Sequence, residues 1–227
     1  MVRSPVPLAV LPGGTANVLA VEVGIGTRML RAAERFSSYV PTRVALGLLE
    51  FPNGESRHFG MMAGVGLDAM VVYNISAGLK SRLGKVAYWI AGFSQVGKRL
   101  PEFGVRACGR DFQASFLLAS RVRNYGGDLT ICRNASLLGP DFEVVVFEGP
   151  KALPYLKYFA AVLLGRVDRV KGATVLRTTD LQITQSTDPR VYIQIDGEHV
   201  GRTPARLSIV PDALTLLVPP EFHKTHG

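Results

Sequence analysis

The feature that most constrains the fold is the run of short apolar segments, separated by turn residues, that begins at Phe103 and continues almost to the end of this 227-residue chain. Such a run is typical of antiparallel strands. One helical stretch, Leu153–Leu164, interrupts it, and Glu143–Phe147 alternates so little that it indicates a fully buried strand. The predicted strands are Phe103–Cys108, Phe112–Val122, Glu143–Phe147, Thr174–Arg177, Asp180–Thr184, Val191–Ile195, Ala205–Ile209 and Leu214–Val218.

The residues before Phe103 mix helices with strands, which predicts an α+β fold. Predicted in order are a buried strand Val6–Leu11, a helix Ala16–Val23 ended by Gly24, a helix Thr27–Ser37, a hairpin of Arg43–Phe51 and Ser56–Gly64, and a long helix Lys80–Leu100. We therefore divide the chain into a small α/β segment over residues 1–41, a β-rich, sandwich-like domain over residues 42–219 and a tail over residues 220–227.

Composition restricts the class of partner. The chain has 26 Lys and Arg against 18 Asp and Glu, a net charge of +8, which favours phosphate, nucleic acid or an acidic membrane surface, or is simply a basic surface. No series of aromatic residues accompanies Arg121, Arg123 and Tyr125, so we expect no nucleic-acid partner. Two cysteines, Cys108 and Cys132, make neither a disulfide framework nor a metal site, and we expect buried thiols in a reducing cytoplasm.

The start of the chain holds a glycine corner between a predicted strand and a predicted helix, LPGGTANVLA. Gly13 and Gly14 permit close approach of a ligand, and free amides where a helix begins can bind an anion. Thr15 can cap the helix and donate its hydroxyl, and Asn17 can donate and accept. These groups suit a phosphate or ribose contact, and they also suit an ordinary strand-to-helix corner.

Two carboxylates, Asp196 and Glu198, lie two residues apart near the end of the chain. In an extended strand both side chains would lie on one face, where they could abstract a proton from a hydroxyl or bind Mg²⁺ beside a triphosphate. The alternative is a hairpin turn, because Asp-Gly is a common turn dipeptide. A third acid, Asp68 in GVGLDA, is most simply the N-cap of a helix.

Five segments, in order along nearly the whole chain, resemble motifs of the diacylglycerol kinase catalytic family, which includes soluble bacterial diacylglycerol kinases, YegS-like lipid kinases and sphingosine kinases. LPGGTANVLA resembles "P-x-G-T-x-N-x-x-A", and MAGVGLDAMVV is similar to "G-x-G-x-D-A". LKSRLGKVAYWIAG is similar to "LK-x-x-L-G-x-x-A-Y", NYGG resembles "N-x-x-x-x-G-G", and QIDGE resembles "Q-x-D-G-E".

The resemblance implies an ATP- and Mg²⁺-dependent lipid kinase. It implies that Gly13, Gly14, Thr15 and Asn17 help to hold ATP. It further implies that Asp196 takes the proton from the lipid hydroxyl, that Glu198 orients Asp196 or helps to hold Mg²⁺, and that Asp68 belongs to a network supporting Mg²⁺. The β-rich domain and the long helix would hold the acyl chains.

Some family features are not matched. The family carries a "G-G-D-G-T" phosphate loop upstream of "P-x-G-T-x-N", and the 227 residues contain no such sequence. Residues 1–41 then resemble a truncated nucleotide-binding domain, and we expect this chain to be inactive alone. Some members hold a structural Mg²⁺ in a loop that reads Leu138-Gly139-Pro140-Asp141 here, where only Asp141 could serve. An acid often found before the first strand of the β-domain is Ala45 here.

Partners and location follow from the same resemblance. We expect a cytoplasmic protein that associates peripherally with the membrane, where its lipid substrate lies. The sequence is compatible with both a monomer and a homodimer. Basic residues at the two ends of the long helix suit either anionic headgroups or a solvated face; they are Lys80, Arg82, Lys85, Lys98 and Arg99. Two alternatives to a lipid kinase remain: a non-catalytic lipid- or nucleotide-binding module, and an enzyme like NAD kinase.

Overall fold

A computed structural model describes residues 1–74, 99–125, 129–150 and 155–223. The helices in these ranges are α1 (Val18–Glu22), α2 (Met29–Arg35), α3 (Leu67–Asn74) and α4 (Tyr155–Leu163). The strands are β1 (Val40–Glu50), β2 (Ser56–Phe59), β3 (Met62–Gly66), β4 (Phe103–Ala107), β5 (Arg110–Ser120), β6 (Asn124–Tyr125), β7 (Leu129–Thr130), β8 (Phe142–Glu148), β9 (Ala173–Thr178), β10 (Asp180–Ile183), β11 (Tyr192–Ile195), β12 (Glu198–Arg202) and β13 (Ala205–Val218). The predicted long helix lies outside the described residues, apart from its last two positions.

Eleven of the described strands form one curled antiparallel sheet, in the order β12-β11-β3-β5-β4-β10-β13-β1-β2. Strand β8 pairs with β5 and β9 continues from β8, so the sheet branches at the long strand β5. Strands β6 and β7 form a separate short hairpin. The prediction of a β-rich, sandwich-like domain is confirmed, whereas a truncated α/β domain is not evident as a separate unit.

Strand β13 is longer than predicted. We expected two strands split near Pro211, but residues 205–218 form one strand paired with β1. The pairing passes from Val44–Leu214 to Leu46–Val210, so three residues of β13 bulge opposite Ala45. Because a bulge leaves backbone groups out of the ladder, it accommodates a proline that has no N–H to donate.

Strand β8 separates two apolar cores, as its unbroken apolar sequence predicted. Phe142, Val144 and Val146 pack into one core, and Val145 and Phe147 pack into the other. Since successive side chains point to opposite faces, a strand covered on both sides must be apolar at consecutive positions.

The N-terminal residues lie against the same sheet. The predicted strand Val6–Leu11 is reduced to one parallel bridge, between Leu8 and Leu216 of β13. Ala20 and Val23 of the first helical region pack into the core that holds Leu216. The first residues of the chain are therefore held by backbone hydrogen bonds to its own last strand.

Two smaller expectations are corrected. The predicted tail begins within the fold, because Phe222 is buried in the core. Of the two cysteines, Cys132 is buried as expected, whereas Cys108 is exposed.

Candidate active site

Asp68 is the buried centre of the candidate site. It lies in the first turn of α3, which follows β3 without a loop. One carboxylate oxygen accepts a hydrogen bond from the Tyr125 hydroxyl, and the other accepts one from Gln194 Nε2 at 2.7 Å. Burial raises the pKa of Asp68 from 3.8 to about 6, and the two hydrogen bonds oppose this rise.

Gly64 makes room for this carboxylate. A Cβ at Gly64 would stand 2.5 Å from Asp68 Cγ and 2.7 Å from Gln194 Nε2, and closer still to the carboxylate oxygen. Any side chain there would displace the Asp68 carboxylate, so the glycine in "GVGLDA" serves the close approach of two elements.

Gln194 connects Asp68 to the hairpin between β11 and β12. Its Nε2 donates to Asp68, and its Oε1 accepts from the backbone N–H of Gly197 at 2.8 Å. We call the chain Tyr125, Asp68, Gln194 and the Gly197 amide the polar relay. It joins residues from the three segments MAGVGLDAMVV, NYGG and QIDGE, which lie far apart in the sequence.

The hairpin is a tight turn and not an extended strand. Ile195 pairs with Glu198, and the two residues between them, Asp196 and Gly197, have φ of 49° and 87°. Two central residues with positive φ are typical of the two-residue turns that match the twist of the strands. The prediction that Asp196 and Glu198 share one strand face is therefore wrong, and the hairpin-turn alternative describes the local backbone.

The Asp196 carboxylate clamps the connection between β2 and β3. It accepts hydrogen bonds from the backbone N–H groups of Gly60 at 2.7 Å, Met61 at 2.9 Å and Met62 at 2.9 Å. Burial raises the pKa of Asp196, the three N–H groups oppose the rise, and the charge of Glu198 adds to it. The clamp explains why the predicted strand Ser56–Gly64 is interrupted, because these amides bond to a side chain instead of a neighbouring strand.

Glu198 differs from Asp196 in its surroundings. It is the first residue of β12, its side chain is exposed, and it follows a turn that the polar relay and the Asp196 clamp hold from two sides. A carboxylate in this position can reach a molecule in solvent without losing bonds to the protein fold.

The glycine corner differs from what we expected. The amide of Gly13 donates to the Leu11 carbonyl at 2.9 Å, and the amide of Gly14 donates to Asn17 Oδ1 at 2.8 Å. Asn17 also returns a bond to the Gly14 carbonyl, and it has φ of 48°, while neither glycine has a positive φ. The expectation of free amides is therefore wrong in this conformation, and so is the expectation that Thr15 caps α1, whose N-cap is Asn17.

Glu22 is a site residue that the sequence reasoning missed. Its buried carboxylate accepts from the backbone N–H and Nε of Arg123 and from Asn124 Nδ2, at 3.0 to 3.2 Å. It thereby fastens α1 to the strand that carries Tyr125. Its only sequence signal is a charged residue at the end of an apolar helical stretch, which is not specific.

Arg121 is a second missed residue, and it is fully buried. Its guanidinium donates to the carbonyls of Leu137 at 2.6 Å, Gly139 at 3.1 Å and Asp141 at 3.3 Å. Burial lowers the pKa of Arg121 to about 10. In the pattern "N-x-x-x-x-G-G" the Asn stands five residues before the first glycine, and Arg121 stands there in this chain. The loop that we considered for a structural metal thus already surrounds an internal cation.

The three predicted metal and base residues are not equivalent as Mg²⁺ ligands. Asp68 is wholly buried and both its oxygens accept hydrogen bonds, so it does not fit as a direct ligand. Glu198 does fit, because Mg²⁺ commonly takes one or two carboxylates together with water and substrate phosphates. Within the described ranges, no three His, Cys, Asp or Glu side chains gather as a metal cluster.

Two predicted site segments lie outside the described residues. These are the basic positions Lys80, Arg82, Lys85 and Lys98, and the two glycines of NYGG. Among the described helices, none is long and apolar enough to cross a membrane.

Comparison with known proteins identifies the class. Residues 61–218 match the family described as the YegS C-terminal NAD kinase beta sandwich-like domain, and the chain belongs to that family. Relatives of this chain include proteins named diacylglycerol kinase. One from Mycobacterium tuberculosis is 28% identical over 94% of this chain and 70% of its own length, and one from Bacillus subtilis is 22% identical over 94% and 70%.

A solved structure agrees on the fold. The crystal structure of a diacylglycerol kinase from Bacillus anthracis superimposes with a TM-score of 0.70 at 17% identity, over 94% of this chain and 69% of that chain. These matches confirm the resemblance to diacylglycerol kinases and YegS-like lipid kinases. They support a lipid kinase family for this chain.

Proposed function

We propose that this chain acts in an ATP-dependent lipid kinase, which transfers the γ-phosphate of ATP to a lipid hydroxyl. The observation that carries the proposal is the fixed hairpin, which presents the Glu198 carboxylate to solvent next to a buried, hydrogen-bonded support. Phosphoryl transfer depends on positioning and charge neutralisation more than on covalent chemistry, and a rigid turn with one exposed acid supplies positioning.

In the proposed reaction the lipid hydroxyl oxygen attacks the γ-phosphorus, ADP leaves, and a carboxylate accepts the hydroxyl proton. The resemblance assigned that proton to Asp196. The geometry favours Glu198, because both oxygens of Asp196 already accept backbone N–H groups. Asp196 then acts as a positioning residue that fixes the turn.

Few described residues are available to contact Mg²⁺ or a nucleotide. Mg²⁺, when bound, neutralises phosphate charge, and Glu198 is the candidate residue to contact it. Thr15 is exposed and can offer its hydroxyl to a nucleotide, whereas the Gly13 and Gly14 amides are engaged within the corner. Those engaged amides favour the second candidate function, a non-catalytic lipid- or nucleotide-binding module.

A transfer assay tests the proposal. The 227-residue chain, and the same chain extended by the coding sequence upstream of Met1, are incubated with labelled ATP, Mg²⁺ and diacylglycerol in anionic vesicles. We expect no useful turnover by the 227 residues, which lack a "G-G-D-G-T" sequence, and lipid phosphorylation by an extended form that contains one. Phosphorylation of NAD in place of the lipid would favour the NAD kinase-like alternative, and binding without any turnover would favour the module.

Substitutions in the active form separate the two carboxylates. Glu198→Gln should lower turnover by about 10²–10⁴-fold with an unchanged melting temperature, as is typical when a general base is removed. Asp196→Asn should lower the melting temperature as well. Glu55→Gln, an exposed acid in the β1–β2 turn, is the matched control and should change neither. Normal turnover in Glu198→Gln would remove the assignment of the proton acceptor.

A further inference from the structure

The end of α4 exposes two adjacent leucines. Leu163 and Leu164 have exposed fractions of 60% and 69%, although the same helix packs into the core through Tyr158, Ala161 and Val162. The inner face of the helix is therefore buried, whereas the two leucines at its end are exposed to solvent. Two adjacent exposed leucines at a helix end are able to insert into an apolar phase.

An arginine is held beside this tip. The Leu164 region and β7 border an open groove of about 290 Å³, lined among others by Leu129, Arg133 and Leu163. Arg133 Nη1 donates to the Gly165 carbonyl at 2.9 Å, and a Cβ at Gly165 would stand 2.8 Å from the Arg133 Cζ. The guanidinium of Arg133 therefore lies next to the residue that follows the two leucines.

Further exposed cations lie near the tip in the sequence. Exposed basic residues on α4 and on the turn after it are Lys157, Arg166, Arg169 and Lys171. Together with Arg133 they make five cations against one acid, Asp168, in residues 155–171 and at position 133. An exposed apolar tip on a predominantly basic segment is complementary to an anionic bilayer, whose headgroups are negative and whose interior is apolar.

The tip is also joined to the candidate active site. Leu129 of β7 pairs with Tyr125 of β6. Tyr125 is the first member of the polar relay, through its bond to Asp68. One short hairpin therefore separates the groove from the residues that position the Asp196–Glu198 turn.

We propose that the α4 tip, defined as Arg133, Leu163, Leu164, Arg166 and Arg169, is a membrane-docking surface for anionic bilayers. The two leucines enter the interfacial region and the arginines contact lipid phosphates. A second copy of the chain fits this surface less well, because two side chains offer little area against the roughly 800 Å² per partner of a stable interface, and the like charges would face each other. The proposal gives the membrane contact of the proposed lipid kinase, and its test involves no ATP or turnover.

Vesicle sedimentation tests the surface. The chain is mixed with sucrose-loaded vesicles of phosphatidylcholine alone, or of equal parts phosphatidylcholine and phosphatidylglycerol, and the bound fraction is measured at increasing salt. We expect binding to the anionic vesicles, weakened by salt. Leu163→Ser with Leu164→Ser should weaken binding by about tenfold or more. Moving even part of a leucine side chain from water into the bilayer favours binding by several-fold, and two leucines are removed. Arg166→Gln with Arg169→Gln should weaken binding by about 25-fold, at about fivefold for each cation.

Matched controls use exposed residues elsewhere. Leu30→Ser replaces a leucine that is 80% exposed in α2, and Arg57→Gln replaces an exposed arginine of β2. Both should bind as the unmodified chain does, and thermal melts should show all variants folded. No binding to anionic vesicles, equal loss in the controls, or full binding by the leucine pair would overturn the proposal. A change of oligomeric state confined to the leucine pair would overturn it in favour of a second copy.

Discussion

Replacing Gly64 by Ala should destabilise the fold strongly, because the added methyl group would occupy the position of the Asp68 carboxylate. At distances of 2.5 Å to Asp68 Cγ and 2.7 Å to Gln194 Nε2, the hydrogen-bonded carboxylate and amide would have to move. Moving the carboxylate breaks its bonds to Tyr125 and Gln194, each worth about 1.5–3 kcal/mol with a charged acceptor. Overpacking adds about 1–3 kcal/mol. We expect a loss of about 4 kcal/mol or more from these two effects.

The assay is urea unfolding followed by circular dichroism at neutral pH, with Gly60→Ala as the matched control. A Cβ at Gly60 would stand 3.8 Å from Asp196 Oδ2, an ordinary contact, and the substitution keeps the N–H that Asp196 accepts. We expect this control to change the free energy of unfolding by less than about 1 kcal/mol.

A double variant tests the steric cause directly. Asp68→Ala removes the carboxylate that the methyl group would meet, so Gly64→Ala should cost less in that background. We expect the two changes to be non-additive by at least about 2 kcal/mol. The reasoning is refuted if Gly64→Ala costs less than about 1 kcal/mol, or if the double variant is additive within about 0.5 kcal/mol.

Four other predictions follow from the same contacts. Because burial raises the pKa of Asp68 from 3.8 to about 6, the folded state binds this proton more tightly than the unfolded chain. The contribution of Asp68 to stability should therefore be full below about pH 4 and be lost, by about 3 kcal/mol, as pH rises through about 6, and Asp68→Asn should remove that component from a stability–pH curve. Asp196→Asn should lower the free energy of unfolding by about 2 kcal/mol, since an amide cannot accept all three backbone N–H groups, whereas Glu198→Gln should change it by less than about 0.5 kcal/mol in the same urea titration. Arg121→Met should cost about 3 kcal/mol or more in thermal and urea unfolding by leaving the three loop carbonyls without a donor, and a loss below about 1 kcal/mol would contradict this reading of the buried guanidinium. In hydrogen exchange, residues 6–11 should be less protected than β8, because they make one bridge at the surface instead of a ladder on both sides.

The sequence predicted those parts of the fold that depend on local pattern. Glu143–Phe147 had to be buried on both faces because its apolar residues are consecutive, and Gly24 ends the first helical region with φ of 81°. Pro211 led to the wrong prediction of two strands where β13 is one. The bulge that accommodates this proline depends on pairing with β1 and cannot be inferred from the sequence of β13 alone.

The sequence indicated which residues belong to the candidate site better than it indicated how they are arranged. Motifs singled out Asp68, Asp196 and Glu198, but the sequence left open whether Asp196 and Glu198 share a strand face or flank a turn, and the structure has the turn. Glu22 and Arg121 were missed because Glu22 acts on residues about a hundred positions away and Arg121 acts on backbone carbonyls 16 to 20 positions away. Local sequence holds no record of such contacts, since any charged residue in an apolar stretch gives the same signal.

The pairing of β13 has a consequence for how the chain is made. This strand lies opposite β1 from Val40–Val218 to Glu50–Arg206, and it also holds Leu8 at Leu216. A ribosome delivers residues 8–50 long before their partners, and contacts of such large sequence separation form slowly. The edge of β1 that pairs with β13 therefore has no native partner until residues 205–218 have left the exit tunnel, so the complete burial of residues 8–50 depends on a segment made more than 150 residues later.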